Sequence, residues 1–157
     1  MAIEIERKFL VANDGWKSSV FRTRRIRDGL LAMEDGCKTR VRISDGVATL
    51  GLKGQRTGLS RPEFEFEIPL ADAEDILLSM CSGRVLAKAR HLVEHAGVTW
   101  EIDVYEGHLS GVSMAEVELQ REDQFLTLPP WVGREVTGDP KYAKVNMLAA
   151  RWAAVAQ

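Results

Sequence analysis

Charged and apolar side chains alternate in the first ten residues of the chain. Glu4, Glu6 and Lys8 occupy alternate positions, and alternate side chains of a β-strand lie on the same face. Two carboxylates and an ammonium group on one face suit a site that holds a cation and an anion together. A half-exposed strand with a solvated charged face has the same pattern, so this segment alone does not decide between the two.

Five later segments repeat this alternation, and Lys53 adds a further cation. The segments carry Arg40 with Arg42, Glu63 with Glu65 and Glu67, Lys88 with Arg90, Glu101 with Asp103, and Glu116 with Glu118. Carboxylates hold hard divalent cations, which prefer oxygen ligands, whereas arginine and lysine grip phosphate oxygens. Both groups in one cavity, together with Mg²⁺, would provide the chemistry of phosphoryl or nucleotidyl transfer.

The composition limits the partners that we expect. The 157 residues fit a single domain, 1–157, and the formal net charge of −2 provides no global attraction to nucleic acid or to an anionic membrane. No apolar run approaches the length of a transmembrane helix, so we expect neither partner. Cys37 and Cys81 lack the spacing of metal ligands, and free thiols are typical of a reduced, cytoplasmic protein.

Period-two patterns and turn residues predict eight strands. They cover residues 2–10, about 24–32, 38–43, 47–53, 61–68, about 84–94, 98–105 and 114–119. Glycine-containing turns such as Asp45-Gly46 join neighbouring strands, and the short connections favour antiparallel pairing. His91 and His95 lie in the sixth strand, where a spacing of four is not the helical metal-binding pair.

Apolar stripes at helical spacing predict three helices. They cover residues about 14–21, 71–82 and 140–155. The first would bury Trp16 and Phe21, and the third would begin at Pro140 with Asp139 as its cap. The second would bury a stripe of Ile76, Leu77, Met80 and Cys81. Residues 128–131 are predicted to be irregular.

The helices decide which face of the strands lies inside. Eight antiparallel strands suit closure into a barrel with a small lumen. A lipocalin-like barrel, with its apolar face inside, needs no helices on its exterior. Here three amphipathic helices must bury their stripes, and the apolar strand faces are the available surface. We therefore predict a mainly β (α+β) fold, a closed eight-stranded antiparallel β-barrel with a charged interior and about three helices packed outside.

The segment Glu4-Ile5-Glu6-Arg7-Lys8 resembles the ExExK signature of the CYTH superfamily, also called triphosphate tunnel metalloenzymes. The resemblance covers essentially the whole chain. It includes Arg40 and Arg42, Lys53, the acidic fifth strand, Lys88 and Arg90, Asp103, Glu116 and Glu118, and the ending Tyr142-Ala143-Lys144-Val145-Asn146-Met147-Leu148-Ala149. It implies a charged tunnel that binds triphosphates with Mg²⁺ or Mn²⁺. The short form of this chain is most similar to bacterial inorganic tripolyphosphatases, which would hydrolyse tripolyphosphate to pyrophosphate and phosphate.

Three groups of residues would share the work of such a site. The expected metal ligands are Glu4, Glu6, Glu116 and Glu118. The expected substrate-binding residues are Lys8, Arg40, Arg42, Lys53, Lys88 and Arg90. Glu63, Glu65 and Asp103 are the catalytic candidates, beside which a second metal ion would activate a water molecule. No covalent nucleophile is required.

Several assignments stay open at this point. Thiamine triphosphatase, nucleoside triphosphatase and class IV adenylate cyclase are alternative activities, and a polyphosphate-binding module without turnover is the non-enzymatic alternative. Lys141 or Lys144 on the last helix could contact substrate at the mouth of the tunnel. The favoured alternative is that both are surface lysines of an amphipathic helix. Tyr105 would line the lumen or pack at its edge. A homodimer is an option because three helices need not cover the whole apolar exterior.

Overall fold

Nine strands and two α-helices make up the computed structural model, which describes residues 2–156 and their side chains through Arg151. The strands are β1 Ile3–Val11, β2 Val20–Glu34, β3 Cys37–Ser44, β4 Val47–Lys53, β5 Ser60–Ile68, β6 Val85–His95, β7 Val98–Tyr105, β8 Ser113–Glu118 and β9 Val132–Glu135. The helices are α1 Leu70–Met80 and α2 Lys144–Ala156, and 3₁₀ turns cover Lys17–Ser19, Gly107–Leu109 and Pro140–Tyr142. Within the described residues, no helix is long and apolar enough to cross a membrane.

The first eight strands close into an antiparallel barrel, which confirms the predicted fold. Around the barrel the strands follow the order β1-β5-β4-β3-β2-β6-β7-β8, and β8 pairs with β1. The other edge of β1 pairs first with β5, where Ile3 lies opposite Pro62, and then with β9, where Val11 lies opposite Val132. β1 therefore closes the barrel and also carries the added ninth strand.

Apolar side chains pack outside the barrel wall and over one of its ends. On one side α1 buries Leu77 against Val41 of β3. On another side Trp100 of β7 meets Trp131 edge to face, with ring centroids 5.6 Å apart. At one end Leu148 of α2 is buried in a third apolar cluster. The first two clusters take the apolar outer faces of the strands, so the charged faces are left to line the interior, and the third cluster closes one end of it.

The predicted helix over 14–21 is wrong. Only the 3₁₀ turn Lys17–Ser19 forms, and β2 begins at Val20. Trp16 is buried as predicted, but Phe21 lies in β2 and is 57% exposed. The Asn13 side chain accepts a hydrogen bond from the Gly15 backbone N–H at 2.9 Å. This local bond and the pairing of β2 with β6 override a helical pattern that is too short to form by itself.

The second predicted helix forms with one difference at its end. α1 buries Ala73 and Leu77, and Cys81 follows directly after its last residue. These three residues are four apart, so they form one buried stripe. Met80 was expected in that stripe but is 58% exposed, because it lies at the edge of a stripe that the fourfold spacing defines.

The C-terminal part also differs from the prediction. The last helix begins at Lys144, because Pro140–Tyr142 forms a separate 3₁₀ turn. Asp139 does act as a cap, since its Oδ1 accepts a hydrogen bond from the Lys141 backbone N–H at 3.0 Å. β9 was not predicted. It is four residues long, which is at the short end for a strand, and it follows an irregular segment that was predicted correctly.

Gly29 is the point where β2 passes close to α1. A Cβ atom at this position would lie 2.4 Å from Leu77 Cδ2 and 2.8 Å from Cys81 Sγ. We expect Gly29→Ala to lower the free energy of unfolding by about 1–3 kcal/mol, because it overpacks this contact; urea titration measures the change. Gly51→Ala is the matched control, since its methyl group would meet Arg40 only at an ordinary 3.8 Å. Equal losses in both variants would contradict close packing at Gly29.

Candidate active site

The barrel encloses a cavity of about 550 Å³ with a charged wall. All of the predicted site residues except Lys88 and Asp103 line it. They are Glu4, Glu6, Lys8, Arg40, Arg42, Lys53, Glu63, Glu65, Arg90, Glu116 and Glu118. Alternate positions on the closed strands face one lumen, so residues far apart in the sequence are brought together here.

On one side of the cavity the lysine of β4 is neutralised by two carboxylates. Lys53 Nζ lies 2.8 Å from Glu4 Oε1 and 3.1 Å from Glu63 Oε2. Arg40 Nη2 lies 3.7 Å from Glu65 Oε1. These contacts join β1, β3, β4 and β5 across the lumen. Cations and carboxylates are therefore interleaved on this side rather than separated into two patches.

The floor of the cavity is a buried chain of alternating charges. Arg42 donates to both oxygens of Asp28, at 2.6 and 2.9 Å, and Arg90 donates to both oxygens of Asp103, at 2.7 and 2.8 Å. Lys88 Nζ joins the two halves, 2.6 Å from Asp103 Oδ2 and 3.8 Å from Asp28 Oδ2. Lys88 and Asp103 are 1% and 0% exposed. Both therefore lie beneath the cavity wall, where they hold the residues that face it.

Two carboxylates near Glu4 make no ion pair with a cation among the described residues. Glu6 of β1 and Glu118 of β8 lie directly opposite each other on neighbouring strands, an arrangement that is unfavourable for like charges. Burial, with Glu116 and Glu4 nearby, raises the pKa of Glu6 to about 8. Burial and the neighbouring Glu4 also raise the pKa of Glu118. These two side chains are the part of the site that most needs a bound cation.

The donor atoms fit a magnesium or manganese ion. Carboxylate oxygens are hard ligands, and Mg²⁺ is commonly held by one or two carboxylates together with substrate phosphates. Within the described part of the chain, no three Asp, Glu, His or Cys side chains are grouped as a ready-made metal cage. Glu6 and Glu118 are free for an ion that completes its shell with phosphate oxygens, whereas Glu116 is near Lys8 and Arg90, at 3.8 and 3.5 Å.

Further cations at the rim of the cavity were not predicted as site residues. Lys38, Arg56 and Arg61 line the cavity, and none of them meets a carboxylate within ion-pair distance among the described residues. Arg61 donates only to the backbone carbonyls of Gly54 and Gly36. Burial, with Lys53 and Arg40 nearby, lowers the pKa of Lys38 to about 7. The basic groups at the rim thus disfavour the protonated form of Lys38, and a bound anion would restore it.

The first residue of α2 settles one of the open assignments. Lys144 lines the cavity, and burial and the neighbouring Lys88 hold its pKa well below the usual range. Lys141 is exposed and places its Nζ 5.6 Å from the ring centroid of Tyr142. Tyr105 is 3% exposed and packs in the apolar cluster at the end of the barrel. Lys144 is therefore inside, whereas Lys141 is on the surface and Tyr105 has a packing role.

The overlooked residues differ in how visible they were in the sequence. Lys38 and Arg61 are the first residues of the predicted strands 38–43 and 61–68 and share the alternate positions of Arg40 and Glu63, so the same alternation would have found them. Asp28 alternates with Ile26 and Leu30, and no charge repeat marks it. The position of Lys144 depends on where α2 begins and how it meets the barrel, which local patterns do not indicate.

Replacement of Glu6 provides a test of the unpaired carboxylate. The folded chain retains the Glu6 proton up to a pKa of about 8, against 4.5 for an ordinary glutamate. The stability of the metal-free protein therefore falls as the pH rises from about 4.5 to about 8. Glu6→Gln removes this loss, so we expect it to melt a few degrees above the wild type at pH 8 and close to it at pH 5.

Thermal melts in the presence of a chelator measure the effect. Glu67→Gln is the matched control, because Glu67 is exposed and does not line the cavity. Added Mg²⁺ should raise the melting temperature of the wild type at pH 8 more than that of Glu6→Gln. If the difference in melting temperature between Glu6→Gln and the wild type is the same at pH 5 and pH 8, the raised pKa of Glu6 is contradicted.

Known proteins resemble the chain over almost its whole length. The inorganic triphosphatase of Acetivibrio thermocellus is 39% identical over 148 residues, which cover 94% of either chain. The inorganic triphosphatase of Nitrosomonas europaea is 39% identical over 145 residues, which cover 88% of this chain and 92% of the relative. A crystal structure of an inorganic triphosphatase aligns with a TM-score of 0.65 at 34% identity, covering 92% of this chain and 97% of the other.

The family match agrees with the barrel and its charged lumen. The model of the CYTH domain matches residues 2–146, which include all nine strands and the first residues of α2. The matched region thus contains every residue that the sequence patterns assigned to the site. The chain belongs to the CYTH domain family.

Proposed function

We propose that the protein hydrolyses inorganic triphosphate to pyrophosphate and phosphate with the help of Mg²⁺ or Mn²⁺. The observation that carries the proposal is the distribution of unpaired charge in the cavity. Among the described residues, the carboxylates Glu6 and Glu118 form no ion pair, and neither do the cavity-lining cations Lys38, Arg56 and Arg61. A metal ion and a polyphosphate anion together would neutralise both groups. A site for an anion alone would not need the unpaired carboxylates.

The basic residues would bind the phosphates. Lys8, Arg40 and Lys53 line the cavity, and their ion pairs with carboxylates hold them in place until an anion arrives. Arg42 would contact phosphate with the guanidinium edge that Asp28 leaves open. Nη1 of Arg90 is already paired with Glu101, so a phosphate would contact Arg90 by displacing that carboxylate. Lys88 would act through its contacts in the floor, because it is buried beneath the wall.

The acidic residues would divide between metal binding and proton transfer. Glu4, Glu6, Glu116 and Glu118 would hold the metal ion, which would neutralise phosphate charge and polarise the phosphoryl group. Glu63 and Glu65 of β5, the strand next to β1, also line the cavity, where a carboxylate can accept the proton of the attacking water. Asp103 would support this chemistry from below, since both of its oxygens accept hydrogen bonds from Arg90 or Lys88.

The lining of the cavity favours an inorganic substrate. Among the residues that the structure describes, no aromatic side chain lines the cavity. A nucleobase or a thiazole ring would usually be held by stacking on such a side chain. The names of the relatives from A. thermocellus and N. europaea agree with this choice. Two free thiols, Cys37 and Cys81, agree with a proposed cytoplasmic location, where thiols stay reduced.

Phosphate release from tripolyphosphate, ATP and thiamine triphosphate, assayed side by side with Mg²⁺ or Mn²⁺, tests the activity. We expect the highest kcat/KM for tripolyphosphate and a loss of at least about 100-fold in kcat for Glu118→Gln, because an unpaired carboxylate is removed from the metal site. Glu67→Gln should keep the wild-type rate. Turnover of ATP but not tripolyphosphate would support an organic substrate, and metal-dependent binding without release would support a binding module.

We also propose that the protein forms a homodimer through the uncovered outer face of β5. Phe64 and Phe66 are 41% and 55% exposed there, next to Leu52 and Ile3 at 37% and 51%. At about 200 Å² for a fully exposed large side chain, this band offers about 400 Å² per copy. Specific interfaces bury about 800 Å² per partner, so the band would supply their apolar centre.

Light scattering after size-exclusion chromatography tests the dimer. We expect Phe66→Glu to be monomeric at concentrations where the wild type is dimeric, because two charges would be buried opposite apolar groups. Phe125→Glu is the control, since Phe125 is 88% exposed and lies outside the band. A monomeric wild type would exclude the dimer and leave the proposed activity untouched.

A further inference from the structure

An acidic side chain lies in the floor of a cavity that we propose binds a polyanion. Asp28 lines this cavity and is 6% exposed. Its carboxylate would repel neighbouring phosphate oxygens, so it is not a phosphate ligand. Both of its oxygens already accept hydrogen bonds from Arg42, so it is not available as a metal ligand either. Its presence in the floor needs a different explanation.

Three cations share the carboxylate of Asp28. Arg42 contacts it at 2.6 and 2.9 Å, Lys88 Nζ lies 3.8 Å from Oδ2, and Arg40 Nε lies 4.0 Å from Oδ1. Burial alone would raise the pKa of Asp28, but Arg42, Lys88 and Arg40 hold it well below its usual range. Asp28 is therefore ionised at neutral pH and cancels one of three positive charges.

The hydrogen bonds from Arg42 to Asp28 also fix the direction of the Arg42 guanidinium group. Nε and Nη2 donate to Asp28, and Nη1 has no hydrogen-bond partner among the described residues. The edge that carries Nη1 is thus left for a phosphate oxygen. Lys88 is held independently by Asp103 at 2.6 Å, so part of the floor keeps its order when Asp28 is changed.

We propose that Asp28 is a positioning residue that holds Arg40, Arg42 and Lys88 in the floor and weakens their combined attraction for phosphate, so that product is released. The statement about product release rests on the proposed function. The statement that Asp28 weakens phosphate binding requires only that the cavity binds a polyanion.

The expected effect of removing the charge follows from electrostatics. With Asp28 neutral, Arg42 would face the anion without a carboxylate partner, whereas Lys88 would keep Asp103 and Arg40 would keep Glu65. The loss of one negative charge strengthens the attraction for an anion in this partly desolvated site, where charge interactions are strong. The substrate and the products gain this attraction in equal measure. Such uniform binding lowers KM and slows release without helping the chemical step.

Calorimetric titration of Asp28→Asn with tripolyphosphate and with pyrophosphate, in a chelator and without metal, tests the binding part. We expect binding about tenfold tighter than in the wild type for both anions. With metal present, we expect KM and kcat for tripolyphosphate to fall together. A residue with a merely structural role would lower the melting temperature and the activity without tightening the binding of anions.

Asp45→Asn is the matched control. Asp45 lies at the turn between β3 and β4 with a φ of 49°, which asparagine also adopts readily. Its carboxylate lies 4.0 Å from the exposed Arg22 and accepts a hydrogen bond from the Arg25 backbone N–H at 3.3 Å, which the amide oxygen of asparagine can also accept. The same change of charge at this surface position should leave anion binding, KM and kcat unchanged. Tighter binding in Asp45→Asn as well would overturn the proposal, because it would show an effect of net charge alone.

Asp28→Asn is also made in an Arg42→Gln variant. This double variant shows whether Asp28 acts through its charge or through the orientation of Arg42, and it provides a test if Asp28→Asn alone does not fold. Removing both partners of a buried pair is tolerated better than removing one. Asp28→Asn should still tighten anion binding in this background, since Arg40 and Lys88 remain. Unchanged or weaker binding would overturn the proposal. A wild type that binds tripolyphosphate but never releases phosphate would instead overturn the proposed function alone.

Discussion

The cost of placing charged groups inside a barrel is the constraint on which the rest of the structure depends. A buried charge is expensive unless a partner compensates it. Most charged side chains in this lumen meet that requirement with another side chain, as Lys53 does with Glu4 and Glu63. The exceptions, Glu6 with Glu118 and the cations of the rim, are the places where ligands would complete the compensation. The uncompensated groups thus mark the site more sharply than the number of charges does.

The apolar exterior is the counterpart of this charged lumen. A strand has two faces, and a charged interior obliges the other face to carry the apolar residues that stabilise the fold. α1 and the tryptophan cluster around Trp100 cover much of that exterior, whereas α2 packs at one end of the barrel. The outer face of β5 is left uncovered at Phe64 and Phe66. The arrangement that builds the site therefore also creates the surface assigned to self-association.

Alternation along strands made the barrel and most of the lumen predictable from the sequence. Period two decides which face a residue occupies, and the apolar exterior decides which face is inside, so Glu4, Arg40 and Glu118 were assigned correctly to the lumen. The alternation does not predict whether an inward-facing side chain reaches the cavity. Lys88 and Asp103 face inward but are buried beneath the side chains that line the cavity. Local bonds at Asn13 overrode a helical pattern, and the inward position of Lys144 depends on long-range packing.

The connections of β1 have a consequence for how the chain acquires its structure during synthesis. Glu6 pairs with Glu118, and Phe9 pairs with Glu135, so β1 finds these neighbours only after the strands between them in the sequence have been synthesised. Contacts between such distant segments are slow to form. The lumen cannot close before β8 is available, and the carboxylates of β1 that we propose as metal ligands stay apart from those of β8 until then.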